Sequence, residues 1–298
     1  MLTRQQFDVL AYLATHRNAP LPQRKLAQVL GKSLGTVHSV LAFLAEEKFI
    51  ADKTITQAGL LALEPYRVKR AVFLAAGFGS RLIPITFNTP KPLVRVNGVR
   101  IIDTLLDAVI AAGITDITIV RGYLAEQFDQ LLYKYPMIKF IDNPAFNISN
   151  NISSAFEARH LLANSYVLES DLLLRNPELI TPYQYCTNYL TIPVEKTDDW
   201  CFMTGRQDRI TGMAVGGLNC HQMVGISYWD DATGKQLAND IERVMAMPGG
   251  KERYWDQVAL QQYLSDYHVY IRECKAKDVA EIDTYAELKA LDLSLIHI

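Results

Sequence analysis

The sequence predicts an α/β protein with a mostly parallel sheet, preceded by a small helical domain. Three observations predict it. The chain has 298 residues, 49% hydrophobic and 21% charged, enough for two domains with a real core. Up to Val68 its apolar residues recur at helical spacing. From there on, short apolar runs alternate with amphipathic stretches, the pattern of strands and covering helices.

The first segment, residues 1–68, reads as three helices and a ribbon. Phe7, Leu10, Ala11 and Leu13 form one helical stripe, and Leu26, Val29 and Leu30 a second after Pro20-Leu-Pro22. Ser33 is placed to cap a third helix whose apolar face carries Val37, Val40, Leu41 and Leu44. "FIADKTITQAGLLAL" then offers a short β-ribbon and another helix start. This order resembles a winged helix-turn-helix domain, most typically across "QRKLAQVLGKSLGTVHSVLAFLAEEKFI". Such a domain binds DNA through its third helix. The segment carries eight Lys/Arg against five Asp/Glu, a net +3, but the helix from Ser33 to Lys48 has only Lys48 as a base beside Glu46 and Glu47. Phosphate neutralisation drives DNA affinity. Protein docking therefore stands beside DNA binding as the expectation for this domain.

The second segment, residues 69–291, alternates. "KRAVFLAAG" reads as a strand, "VRIIDTLLDAVIAAG" as a helix, "ITDITIVRGY" as a strand and "AEQFDQLLYKY" as a helix. "IKFIDNP" is a third strand, "ISSAFEARHLLAN" a helix and "SYVLESDLLL" a fourth strand. In such sheets the site lies at the carboxyl ends of the strands. Residues 292–298 form a tail with no evident pattern.

A glycine loop follows the first strand. Gly77 and Gly79 let backbone N–H groups approach phosphate oxygens without an intervening Cβ. The spacing is neither that of a P-loop nor that of the dinucleotide fingerprint, which would need glycine at Leu82. Arg81 comes next, able to fork onto a triphosphate, and Lys91 sits between Pro90 and Pro92, whose rings restrict the backbone around it.

Leu74 to Leu93 fills the pattern L-A-A-G-x-G-x-R-L-x-P-x-T-x-x-x-P-K-x-L without a gap, and on this the chain resembles the nucleotidyltransferases that join an NTP to a sugar or alcohol phosphate. The resemblance implies a Rossmann-like nucleotidyltransferase fold, Mg²⁺ dependence and release of pyrophosphate. It implies nucleotide contacts at Leu74, Ala75, Ala76, Gly77, Gly79 and Ser80, and near the base at Gly122 and Tyr123. Arg81 and Lys91 take the catalytic roles, on the leaving pyrophosphate and the α-phosphate respectively. Asn150 and Asn151 match a family pair but suit equally the cap of the next helix.

Magnesium needs oxygen ligands. Glu169 and Asp171, two apart, point to one face of the fourth strand, and the resemblance assigns the metal to Asp171. It assigns the second metal carboxylate to Asp283, although Asp283-Thr284-Tyr-Ala-Glu287 also reads as a helix cap.

Each tryptophan adjoins an acid: Asp199-Trp200, Trp229-Asp230, Trp255-Asp256. Aromatic faces with nearby negative charge recognise quaternary ammonium. "RGYLAEQF", "FNISNNISSAF", "DDWCFMTG", "GISYWD" and "RYWDQVAL" resemble bacterial CTP:phosphocholine cytidylyltransferases, which make CDP-choline for cell-surface decoration. The resemblance points to a choline box drawn from Trp200, Tyr228, Trp229, Tyr254 and Trp255, and to CTP and phosphocholine as substrates. A transferase for sugar 1-phosphates, and a DNA-binding regulator that senses nucleotide or phosphocholine, are the alternatives.

The bulk numbers narrow the partners. A net charge of −2 gives no global attraction to nucleic acid or anionic membrane. The N-terminus lacks a signal-peptide pattern, no apolar run has the length of a membrane span, and four cysteines without metal spacing suit a reducing cytoplasm.

Overall fold

A computed structural model describes residues 1–17 and 21–292. The expected tail at residues 292–298 lies outside the described residues except for Asp292. The chain divides into two compact units, Met1–Val68 with Pro182–Tyr185, and Lys69–Thr181 with the remainder.

The first unit contains α1 (Arg4–Thr15), α2 (Gln23–Val29), α3 (Leu34–Glu46), the antiparallel pair β1 (Ile50–Ala51) and β2 (Thr54–Ile55), and α4 (Gln57–Leu63). Ser33 caps α3 by accepting from the Thr36 amide at 3.0 Å. Phe7, Leu10, Leu26, Val37, Leu41 and Leu44 meet in one core. Val29 does not join them; it is 54% exposed at the end of α2. Pro182–Tyr185, read from sequence as part of the second domain, belongs to this unit: Tyr185 stacks on Tyr66 with ring centres 5.6 Å apart.

The second unit holds β3 (Arg70–Ala75), β4 (Arg95–Val96), β5 (Val99–Arg100), α5 (Ile101–Ala111), β6 (Asp116–Arg121), β7 (Lys139–Asp142), α6 (Ile152–Glu157), β8 (Ser165–Glu169) and β9 (Leu172–Leu174). It continues with β10 (Asn188–Thr204), β11 (Ile210–Trp229), α7 (Asp231–Met245), β12 (Tyr270–Glu273), β13 (Val279–Glu281) and α8 (Tyr285–Leu291). Among the described residues seven strands form the main sheet in the order β12-β10-β11-β8-β3-β6-β7. It is mostly parallel: β3 pairs in parallel with β6 and β8, β6 with β7 and β10 with β12, while β11 runs antiparallel to β8 and β10. The interior strand β3 is apolar and buried from Ala71 to Ala75, as a strand covered on both faces must be.

Three expected elements differ. "AEQFDQLLYKY" winds as a 3₁₀ run over Ala125–Tyr133, entered through Leu124 in the left-handed region. The helix expected over residues 152–164 stops at Glu157 and is followed by a 3₁₀ turn at Arg159–Leu161. The strand expected over residues 165–174 breaks at Ser170-Asp171; β9 leaves the main sheet and pairs with β13. That break turns Asp171 out of the sheet. Among the described residues no helix is long and apolar enough to cross a membrane.

Candidate active site

A cavity of about 680 Å³ opens at the carboxyl ends of β3 and β8, which run side by side with Leu74 opposite Glu169. The glycine loop after β3 forms one wall: Leu74, Ala75, Ala76, Gly77, Gly79 and Ser80 all line the cavity, as do Arg81 and Lys91. Gly79 has a φ of +63°. A side chain there would be strained, and a Cβ would also lie 2.9 Å from Lys91 Cβ and 3.1 Å from Thr86 Cγ2. The Thr86 hydroxyl donates to the Gly79 carbonyl at 2.9 Å and closes the loop. Lys91 opens a single 3₁₀ turn between its two prolines and is 7% exposed.

Four residues from three distant parts of the sequence meet at one point. Lys91 Nζ donates to Asp171 Oδ2 at 2.7 Å and to Asp283 Oδ1 at 2.8 Å, and Arg81 Nη1 lies 3.0 Å from Asp283 Oδ2. Burial alone would depress the Lys91 pKa, but the charges and hydrogen bonds of Asp171 and Asp283 outweigh it and raise it. Arg81 remains 67% exposed by side chain, open to a ligand.

The cap reading of Asp283 resolves in favour of its neighbour. Thr284 caps α8, with Glu287 completing the capping box, and the Asp283 amide donates to Glu287 Oε2 at 2.8 Å. The Asp283 side chain is thereby left for the cavity.

Glu281 was not singled out from the sequence. Ligand oxygens of Asp171, Glu281 and Asp283 lie within 4.8 Å of one another, a donor set for a hard cation. Asp171 Oδ1 is buried and has no hydrogen-bond partner. These residues fit a magnesium ion. Glu281 keeps an exposed edge, but the cavity strips water from its carboxyl; that desolvation, reinforced by Asp171 and Asp283, pushes it up to about 8. The signal was present: Glu281-Ile-Asp283 repeats the Glu-x-Asp spacing of Glu169-Ser-Asp171.

Glu169 and Asp256 also line the cavity. Burial raises both, Glu169 further through the charges of Asp171, Asp256 and Glu281, and Asp256 to about 6 against the pull of nearby amides. A Cβ on Gly225 would meet Glu169 Cβ at 2.7 Å, so β11 makes room for this acid by carrying no side chain there. Asp256 and Asp199 were legible as the acids beside Trp255 and Trp200; Asp198 carried no signal of its own.

Of the five aromatics from which the box was to be drawn, two reach the cavity and three do not. Trp200 and Tyr254 line the cavity, edge to face with ring centres 5.8 Å apart, and Tyr254 is 40% exposed. Trp229, Trp255 and Tyr228 do not; all three are at most 1% exposed. Trp229 and Trp255 pack together at 5.8 Å in the main core, and the Trp229 indole N–H donates to the Ser227 hydroxyl. Tyr228 faces the other side of β11 against Tyr166 and donates to Asn164 Oδ1. Alternation along β11 sends Tyr228 and Trp229 to opposite faces of the sheet, and neither face at that point borders the cavity.

Gly122 and Tyr123, expected near the base, are not among the cavity's lining residues and stand behind its wall. A Cβ on Gly122 would strike Phe146, and Tyr123 packs on Phe78 at 5.2 Å while its hydroxyl donates to the Thr86 carbonyl. Phe78 and Phe146, which the sequence did not single out, reach the cavity in their place. Asn150 and Asn151 line it without a side-chain cap on α6: Asn151 Oδ1 accepts from the Trp255 amide at 3.0 Å, and Asn150 Nδ2 donates to the Glu252 carbonyl.

The model of the nucleotidyl transferase family matches residues 70–181. A 2-aminoethylphosphonate cytidylyltransferase of Lancefieldella rimae is 32% identical over 231 residues, covering 76% of this chain and 94% of the relative. The chain belongs to the nucleotidyltransferase family. A choline-phosphate cytidylyltransferase of Streptococcus pneumoniae is 30% identical to this nucleotidyltransferase, covering 75% of the chain and 96% of the relative. The solved structure of CTP:phosphocholine cytidylyltransferase from Streptococcus pneumoniae superposes with a TM-score of 0.71 at 31% identity, over 77% of this chain and 99% of that one. The nucleotidyltransferase thus carries the family's α/β fold in its second unit.

Proposed function

We propose that this nucleotidyltransferase transfers CMP from CTP to a small phosphate or phosphonate bearing a cationic nitrogen, with phosphocholine as the first candidate, and releases pyrophosphate. One observation carries the reading: a single cavity combines the Arg81–Lys91 cluster with the Trp200–Tyr254 corner and the acids Glu169 and Asp256. The basic cluster suits phosphates. The corner suits a cation and offers little to a sugar, which wants hydrogen-bonding side chains.

A phosphate oxygen of the acceptor attacks the α-phosphorus of CTP; the new O–P bond forms as the bond to pyrophosphate breaks. A phosphate monoester, with a second pKa of about 6, needs no general base at neutral pH. The chain's part is positioning and charge. Backbone amides of the glycine loop hold the triphosphate, exposed Arg81 binds the leaving pyrophosphate, and Lys91 stabilises charge at the α-phosphate. Magnesium, held by Asp171 and Asp283 with Glu281 beside them, would supply charge neutralisation between the two reacting phosphates.

That only two of the five candidate aromatics reach the cavity favours a second acceptor. Two rings and two carboxyl groups, Asp256 buried and Glu169 half-buried, suit an ammonium that donates hydrogen bonds at least as well as one that cannot, and the relative from Lancefieldella rimae is named for 2-aminoethylphosphonate. The winged-helix reading of residues 1–68 stays part of this proposal, with protein docking ahead of DNA: α3 contains no Lys or Arg. A cytoplasmic setting belongs to the same proposal.

The test is pyrophosphate release with CTP, UTP or dTTP against phosphocholine, 2-aminoethylphosphonate and a panel of sugar 1-phosphates, with Asp171→Ala as control. Turnover with CTP and one cationic acceptor, lost in the variant, supports the reading and selects the acceptor. Turnover confined to sugar phosphates would sink it.

A further inference from the structure

The acids assigned to magnesium are already held together by a cation of the protein's own. Lys91 Nζ sits within 2.8 Å of a carboxylate oxygen on each of Asp171 and Asp283, and its side chain is 9% exposed. Little freedom remains to it: two prolines flank it, and the missing Cβ of Gly79 leaves just enough space for its stem. Around it stand three carboxylates with oxygens within 4.8 Å of one another. Without a cation between them the charges of Asp171 and Asp283 would repel each other in this half-buried place.

The two bonds to Asp171 and Asp283 also take up two of the three donors an ammonium has. An ammonium so engaged cannot at the same time serve a phosphate at full strength. We infer that Lys91 is a placeholder for the divalent cation. It keeps Asp171 and Asp283 assembled before substrate arrives, and it hands both carboxylates over when cation and nucleotide enter together, its Nζ then turning to the phosphates. Nucleotide and cation are thereby coupled through one side chain: phosphate gives Lys91 a new partner, and its departure frees the cation's ligands. Arg81 supports the arrangement by neutralising the second oxygen of Asp283 meanwhile. The inference rests on the magnesium reading above.

The experiment measures Mn²⁺ uptake by the full-length protein without nucleotide, from the electron paramagnetic resonance signal of the free ion. Lys91→Met should bind Mn²⁺ about tenfold tighter than the unaltered protein or better, since removing the ammonium leaves Asp171 without its ion-pair partner and Asp283 with Arg81 alone. The double variant with Asp171→Asn should lose that gain. Equal or weaker binding by Lys91→Met overturns the placeholder. A parallel titration with CTP separates the two readings. If the unaltered protein takes up no Mn²⁺ beyond what CTP alone chelates, the metal assignment fails and the placeholder with it. Uptake with CTP but no gain in Lys91→Met defeats the placeholder alone. Should Lys91→Met not fold, lysine labelled at Cε gives the answer in the unaltered protein, with Lys91→Arg assigning the resonance. The Lys91 signal should move when Mg²⁺ and CTP are added, and a signal that stays put at saturation overturns the inference.

Discussion

Gly79 and Lys91 share one small volume: a Cβ on the glycine would lie 2.9 Å from Cβ of the lysine. Gly79→Ala should therefore act on chemistry through Lys91, and its positive φ adds strain of about 1–3 kcal/mol. We expect a fall in kcat of about tenfold or more, given how steeply rates depend on placement. The melting temperature should drop by several degrees. Steady-state kinetics beside a thermal melt check both, and unchanged kcat would remove Gly79 from the positioning of Lys91.

The divided aromatic set makes opposite predictions for neighbouring tryptophans. Trp200→Ala should raise KM for the acceptor and leave KM for CTP and the melting temperature near their starting values, because Trp200 meets the cavity. Trp229→Ala removes a fully buried ring from the main core and should cost about 3–5 kcal/mol of stability. Denaturant unfolding with substrate titrations distinguishes them.

Asp256 gives a pH dependence of known sign. Its folded pKa, about 6, lies above the ordinary value of 3.8, so the folded chain binds its proton more tightly than the unfolded chain does. Stability from this group is present below pH 4 and is lost as the pH rises towards 6, a penalty of about 3 kcal/mol by pH 7. Asp256→Asn should flatten that limb and stabilise the protein at neutral pH, measured as unfolding free energy from pH 4 to 8.

Removal of divalent cations with EDTA should abolish turnover, and Mg²⁺ should restore it. Asp171→Asn takes one acidic residue from the set of three and should lower kcat/KM by about a hundredfold or more, with a higher Mg²⁺ requirement. A variant whose Mg²⁺ curve matches the unaltered protein would take Asp171 out of the metal set.

The glycine-loop half of the site was legible in order along the chain. The strand at Arg70–Ala75, the glycine loop behind it and the proline-bracketed lysine are local features: each follows from a few adjacent residues and the conformations open to them. The Glu-x-Asp pairs were readable in the same way, one noticed and one passed over.

What tertiary structure decided is which of those residues meet. Lys91 and Asp283 are 192 positions apart, and only the pairing of β13 with β9 carries the Glu281–Asp283 end to Asp171. Sequence spacing holds no information about that distance. The aromatic box shows the same limit from the other side. Tryptophans beside acids look alike in sequence, yet strand alternation and the packing of β11 send Trp229 into the core, while Trp200 reaches the cavity. Local propensity sets what each residue can do; the register of distant strands determines which residues do it together.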